Sequence, residues 1–300
     1  IYTGPLLFNI YINDIGHLKL KSNLFQYADD TALILPHEQY NLAAPFFQND
    51  IVQLMSWFTN NCIFVNRNKT KLMCFRSPYK QVPFDVPIFL HDQHCDQCDC
   101  KKMDTVKTTP YLGLHFDENV LWSYHIDHVI QKLRVVSAYL YRLKSGCDVN
   151  LRREVYLSLG ESVIRYGIAI YGTCPKYKQQ KIDSMINRCV SNIVYGSKHE
   201  LKETKDRKNA VGLLSFENVF KFVVLTSHYF SKEFKEIPNR IKTLRHTETY
   251  AIPKIYTNYG KKQRNYYVPA IFNSLPKDIL SLSSKRQMYK RIKEWCFLSN

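Results

Sequence analysis

Phe25-Gln26-Tyr27-Ala28-Asp29-Asp30-Thr31 sets two adjacent carboxylates between apolar stretches that run from Leu24 to Ala28 and from Thr31 to Leu35. Apolar residues on both sides of so short a polar interruption predict a β-hairpin with the Asp pair at its turn. Two neighbouring anions flanked by apolar strands are expensive unless a cation neutralises them. Mg²⁺ takes oxygen ligands and commonly binds one or two protein carboxylates together with substrate phosphates. Asp29 and Asp30 are therefore candidate ligands of a nucleotide-transfer metal site. An Asp-Asp dipeptide also serves as an ordinary turn pair, and the surrounding sequence has to decide between the two readings.

Working outward, Pro5 after Gly4 suits the first turn of a helix, and Leu7, Ile10 and Tyr11 then repeat at helical spacing up to Asn13-Asp14. Beyond the hairpin, Phe47, Ile51, Leu54, Met55 and Phe58 mark an amphipathic helix that Asn60-Asn61 ends. Ile63 to Val65 and Lys71 to Phe75 read as strands around the polar turn Asn66-Arg67-Asn68. Strand, helix and strand on one sheet predict an α/β layer. Ser77 to Thr109, rich in Pro, Asp, His and Cys, reads as a loop or hairpin insertion. After residue 120 the pattern turns helical. Ile126, Val129, Leu133, Val136 and Leu140 mark one helix, and Leu151, Val155, Leu159 and Val163 a second. Ile182, Met185, Ile186, Cys189, Val190 and Ile193 mark a third, and residues 215–230 and 284–297 add two less regular ones.

A chain of 300 residues with 45% hydrophobic content can bury a sizeable core, which excludes disorder throughout. Its apolar runs near either end fall short of the roughly 18 to 20 residues of a membrane span, so no membrane anchor is expected. Charge is unevenly placed. Residues 1–120 hold 10 basic and 12 acidic side chains, residues 121–300 hold 32 and 14, and residues 231–300 alone hold 15 and 5. Such an excess suits a polyanionic partner, and equally a solvated basic face. Lys261, Lys262 and Arg264 are candidate nucleic-acid contacts. Near them Tyr250, Tyr256, Tyr259, Tyr266 and Tyr267 are available to stack on unpaired bases or to serve as ordinary core and surface tyrosines. Nine cysteines, most of them isolated, argue against a disulfide framework and for a reducing compartment. His91, His94, Cys95, Cys98 and Cys100 are candidate zinc ligands. Their spacing is too tight for a familiar finger, and a polar hairpin with reduced cysteines is the competing reading.

Four blocks in order carry a resemblance: Gly4-Pro5-Leu6-Leu7-Phe8-Asn9-Ile10-Tyr11-Ile12-Asn13-Asp14; Phe25 to Thr31; Trp57 with Asn60-Asn61 and Asn66-Arg67-Asn68-Lys69-Thr70-Lys71; and Tyr111-Leu112-Gly113-Leu114 with Asp117, Trp122 and His125. Together they resemble the reverse transcriptases of non-LTR (LINE-type) retrotransposons. Ile164-Arg165-Tyr166-Gly167 and Phe272-Asn273-Ser274-Leu275-Pro276 are similar to weaker downstream landmarks of the same elements.

The resemblance implies a partial polymerase palm, a sheet with helices of α+β or α/β class, at residues 1–120. It also implies a helical thumb-like region at 121–232 and a basic C-terminal region at 233–300. Asp29 resembles the palm aspartate that ligates both metals, and Asp30 its less critical neighbour. Lys69 resembles the lysine near the incoming triphosphate, and Tyr111, Leu112 and Gly113 the primer grip. The implied activity is RNA-directed DNA polymerisation with Mg²⁺ or Mn²⁺, an RNA template, a DNA primer and dNTP. The implied setting is the cytoplasm and nucleus, as a ribonucleoprotein. The family's third carboxylate, its fingers and its endonuclease regions have no counterpart here, so we expect a C-terminal piece that is inactive alone. The rival reading is a non-catalytic nucleic-acid-binding module built on the basic half. Another palm-fold phosphotransferase, such as a nucleotide cyclase, leaves Trp57, Lys69 and the Tyr-Leu-Gly block unexplained.

Overall fold

The structure, a computed structural model, describes residues 3–80, 86–91, 100, 102–200, 202–231 and 249–298. The chain divides into two compact units, Ile1–Val120 and Leu121–Asn300.

The first unit begins with helix α1 (Thr3–Tyr11), which forms where the Gly-Pro start predicts it but buries none of its residues; Leu7 and Ile10 are 61% and 64% exposed. Strands β1 (Asn23–Tyr27) and β2 (Asp30–Ile34) pair antiparallel, with Asn23 opposite Ile34 and Tyr27 opposite Asp30. Helix α2 (Tyr40–Asn60) follows, and Ile51, Leu54, Met55 and Phe58 of the expected stripe are buried on it beside Trp57. That face joins Ile12, Ile15, Leu72, Ile88, Leu90 and Met103 in one core.

Asp50, on the same buried face, accepts from the Ser22 backbone N–H at 2.7 Å, its hydroxyl at 2.6 Å and the Lys21 N–H at 3.1 Å. A buried carboxylate thus satisfies the backbone immediately before β1, as burial of a charge requires. At the other end of α1, the Tyr11 hydroxyl donates to the Asn61 carbonyl.

The expectation of one sheet is corrected by the strand pairing. Ile63 to Val65 is not a strand, and Phe64 is almost fully exposed. Of Lys71 to Phe75, only β3 (Lys71–Leu72) is a strand, paired parallel with β4 (Asp104–Thr105); β5 (Thr108–Tyr111) and β6 (Leu114–Asp117) form a third two-stranded sheet. The backbone groups go instead into single links between segments, such as Arg76 N–H to Glu118 O at 2.8 Å and Met103 N–H to Ile88 O at 2.8 Å. The Ser77 to Thr109 stretch is also more than a polar insertion. It supplies Ile88, Leu90 and Met103 to the core, and Gln48 of α2 pins its backbone by donating to Phe89 O at 3.0 Å and accepting from Phe89 N–H at 2.7 Å.

The second unit is helical among its described residues. Helices α3 (Ser123–Arg142) and α7 (Lys176–Val194) pack through the two stripes read from the sequence, with Leu133, Leu140, Ile186 and Cys189 fully enclosed. Between them lie α4 (Val149–Tyr156), a π-helical turn (Leu157–Glu161), α5 (Ser162–Arg165) and α6 (Ile168–Tyr171). Here the sequence reading is one residue out of phase. Leu151 and Leu159 are half exposed, while Arg152, Tyr156, Gly160 and Ile164 face inward.

The cause is the guanidinium of Arg152, which donates to Asn192 O at 2.9 Å and Tyr195 O at 3.0 Å, capping the carbonyl end of α7. Gly160 leaves room for the Tyr156 ring, which a Cβ would approach at 2.9 Å. After α8 (Thr204–Ala210) comes α9 (Phe216–His228), against which α10 (Arg264–Asn273) and α12 (Lys285–Leu298) pack, with α11 (Lys277–Leu280) between them. Among the described residues no helix is long and apolar enough to cross a membrane.

Candidate functional site

Register places the carboxylate pair at the tip of the β1–β2 hairpin: Ala28 and Asp29 make the turn, and Asp30 heads β2. Ala28 has φ +50°, the sign that the primed hairpin turns require at this position and that costs a non-glycine residue about 1–2 kcal/mol. Both carboxylates are exposed, and neither forms a hydrogen bond or ion pair with the described residues. They are therefore not a turn pair spent on its own backbone. Two open, adjacent carboxylates fit a hard divalent cation that keeps waters or substrate phosphates as its other ligands. No group of three or more His, Cys, Asp or Glu side chains comes together among the described residues, so the pair has no third ligand of these kinds there.

Lys69 lies in a turn organised by Asn66, whose side-chain oxygen accepts from the Asn68 and Lys69 N–H groups at 3.2 and 3.1 Å. Its ammonium is exposed and makes no ion pair with the described residues. Tyr111, Leu112 and Gly113 fall on the β5–β6 hairpin, with Tyr111 paired to Leu114 and Leu112-Gly113 as the turn. Leu112 and Gly113 have φ +46° and +75°, the combination of a type I′ turn, which asparagine enters far more readily than leucine. Leu112→Asn is expected to stabilise the chain by about 1 kcal/mol, read as a higher urea midpoint. A lower midpoint would mean that the leucine side chain contributes more than its backbone costs.

Of the zinc candidates, His94, Cys95 and Cys98 lie outside the described residues. His91 stacks on Phe89 at 6.4 Å and approaches Gln48 Nε2 at 3.3 Å. Cys100 is half buried, and Cys62, Cys74, Cys147, Cys174, Cys189 and Cys296 are in no disulfide. Burial pushes the Cys189 and Cys296 thiols up to about 12, so both are inert at neutral pH.

Lys261 and Lys262 occupy a single 3₁₀ turn and Arg264 opens α10. Lys262 sits 5.1 Å from the Tyr259 ring, and Arg264 Nη2 lies 3.3 Å from His228 Nδ1. Tyr256 is 91% exposed, whereas the Tyr267 hydroxyl donates to Ala169 O at 2.7 Å. The tail tyrosines thus divide between solvent and packing. Sequence reasoning missed Asp50, Arg152 and a cleft in the second unit near Lys176, Glu217 and Lys221. Each depends on residues from segments far apart in sequence, and no local motif announces it.

Residues 1–116 match the family described as reverse transcriptase (RNA-dependent DNA polymerase). This stretch, with its carboxylate-tipped hairpin, is the part of the chain similar to that family. Among curated proteins the chain is similar to three from Drosophila melanogaster. The probable RNA-directed DNA polymerase from transposon BS is 28% identical over 204 residues, 63% of this chain and 21% of that protein. The probable RNA-directed DNA polymerase from transposon X-element is 23% identical over 208 residues, 67% and 22% of the two chains. The RNA-directed DNA polymerase from mobile element jockey is 23% identical over 196 residues, 60% and 19%. These matches support the LINE-type resemblance, and each is longer than the first unit. The chain spans about a fifth of the length of these relatives. No solved structure matches it.

Proposed function

We propose that the chain is part of an RNA-directed DNA polymerase in which Asp29 and Asp30 hold Mg²⁺ or Mn²⁺ while a primer 3′-hydroxyl attacks a dNTP on an RNA template. The observation that carries this reading is the pair of exposed, unengaged carboxylates at a hairpin tip inside the segment that matches the family. When bound, a divalent ion supplies charge neutralisation at the phosphates. The chain's own residues do the rest. Asp29 and Asp30 present oxygen ligands, the Lys69 ammonium meets the triphosphate, and the Tyr111-Leu112-Gly113 turn holds the primer end. In this reading residues 1–120 act as palm, 121–232 as a thumb-like region and 233–300 as a basic extension.

The test is Tb³⁺ luminescence sensitised by Tyr27, whose ring is 67% exposed two residues before Asp29. Emission that Mg²⁺ competes away and that dNTP strengthens supports the site. Absence of sensitised emission at saturating Tb³⁺ would sink it.

The second reading, nucleic-acid binding without catalysis, is favoured by the 32 basic against 14 acidic residues of positions 121–300. RNA affinity of the chain is then steep in salt. Replacing Lys261, Lys262 and Arg264 with Ala is expected to flatten the slope of log K against log salt by roughly two to three units. An unchanged slope removes those three residues from the interface.

A further inference from the structure

The second unit holds a cleft of about 360 Å³ between the starts of α7 and α9 and the helix α10, at the small end of the roughly 300–1,000 Å³ of ligand pockets. Its walls are largely aromatic and aliphatic, with Phe220, Tyr266, Tyr267 and Ile271 among them. Gly172 lines the base, where a Cβ would come within 2.2 Å of the Phe220 ring, so bare backbone is required. Tyr267 is fully engaged: its ring leans on Phe220 at 5.4 Å and its hydroxyl is bonded to Ala169. Tyr266 beside it pairs with no other ring among the described residues, and its hydroxyl has no hydrogen-bond partner there.

The polar side of the cleft is organised by Glu217, which accepts from Lys176 Nζ at 2.7 Å and from Lys221 Nζ at 2.9 Å. The Lys176 hydrogen bond, ahead of the Lys221 contacts, holds the Glu217 carboxyl below the usual carboxylate range, so Glu217 stays ionised at neutral pH. An ammonium has three N–H donors, and each lysine spends one on Glu217. Two remain on each for an anion. Gln179 donates through Nε2 to Gly172 O at 3.2 Å and Cys174 O at 2.9 Å, which fixes its amide and leaves Oε1 as an acceptor.

We infer that this cleft binds one nucleotide unit, its base laid against Tyr266 and its phosphate received by Lys176 and Lys221. An open aromatic face beside paired lysine donors is the arrangement by which proteins hold unpaired bases without reading sequence. The fixed Gln179 oxygen adds an acceptor for an N–H on the base edge. A free mononucleotide and an unpaired residue of a strand share this chemistry. The inference stands on the second unit alone and does not depend on the carboxylate pair.

The test uses the whole chain, a single-stranded RNA carrying one 5-iodouridine, and adenosine monophosphate as competitor. Photo-crosslinking is expected at Tyr266. Lys176→Glu, at a side chain 73% exposed, is expected to weaken binding at least about tenfold in protein that remains folded. Tyr266→Ala is expected to cost roughly 5- to 100-fold, and Tyr266→Phe to retain the ring and the affinity. Loss of the crosslink to competing monophosphate identifies a free-nucleotide pocket, and persistence identifies an unpaired strand residue. Crosslinks confined to other residues overturn the inference, as does wild-type affinity in folded Lys176→Glu.

Discussion

Asp29→Asn is expected to weaken Tyr27-sensitised Tb³⁺ binding at least about a hundredfold and to lower primer extension at least about a thousandfold. Metal-assisted charge stabilisation is worth several kcal/mol, and each tenfold in rate is about 1.4 kcal/mol. The substitution keeps shape and removes charge from one ligand oxygen, so the effect belongs to the metal. Because the Asp29 side chain is exposed and makes no hydrogen bond or ion pair with the described residues, the melting temperature should not move. Asp30→Asn should cost less. Primer extension is measured with a chimaera carrying the preceding polymerase segment of the transposon BS relative. Wild-type ion affinity in Asp29→Asn would remove Asp29 from the ligand set.

Arg152→Ala is expected to destabilise the second unit by about 3–5 kcal/mol. Arg152 is 4% exposed, and its guanidinium satisfies carbonyls of Asn192 and Tyr195 at the end of α7, with a third bond from Nε to Asp148 O at 3.2 Å. Removing it abolishes hydrogen bonds from a charged donor, leaves carbonyls without partners and opens a cavity behind α4. For a unit of this size the melting temperature should fall by roughly 10 °C. Arg152→Lys should recover only part of the loss, since an ammonium cannot fork to two carbonyls as a planar guanidinium does. A fall of under about 1 kcal/mol in Arg152→Ala would show that water replaces the cap.

These two residues also mark what the sequence makes legible. Asp29-Asp30 sits on a hairpin that two apolar runs define locally, although its turn is Ala28-Asp29, one residue before the dipeptide, and Asp30 already belongs to β2. The stripes of α2, α3 and α7 are equally local, because a run of Ile, Leu, Val and Met at helical spacing has one way to bury itself. Arg152 defeats the same rule. A stripe passing through Arg152, Tyr156 and Gly160 scores as polar, and only the carbonyls of a helix some forty residues away make it the buried face. The expected single sheet failed for a related reason. Strand signals in Ile63 to Val65 are real, but the ladder partner is a distant choice, and Lys71–Leu72 takes Asp104–Thr105. The Lys176, Glu217 and Lys221 triad joins two helices whose charges look solvent-facing when each is read alone.

The grip of Asp50 on Ser22 turns the β1–β2 hairpin into a lever. Its fulcrum is a buried carboxylate at the foot of β1, and its load is the pair of carboxylates at the far end of the strand. Five strand residues span roughly 17 Å, so angular play of about 5° at the foot swings the tip by about 1.5 Å. Metal and phosphate chemistry tolerates about 0.5 Å of misplacement, and about 1 Å can cost a hundredfold. Loosening Asp50 should therefore register as blunted ion affinity at the tip as well as in the melt. The distance that carries the two carboxylates away from Asp50 also magnifies every fault in the anchor.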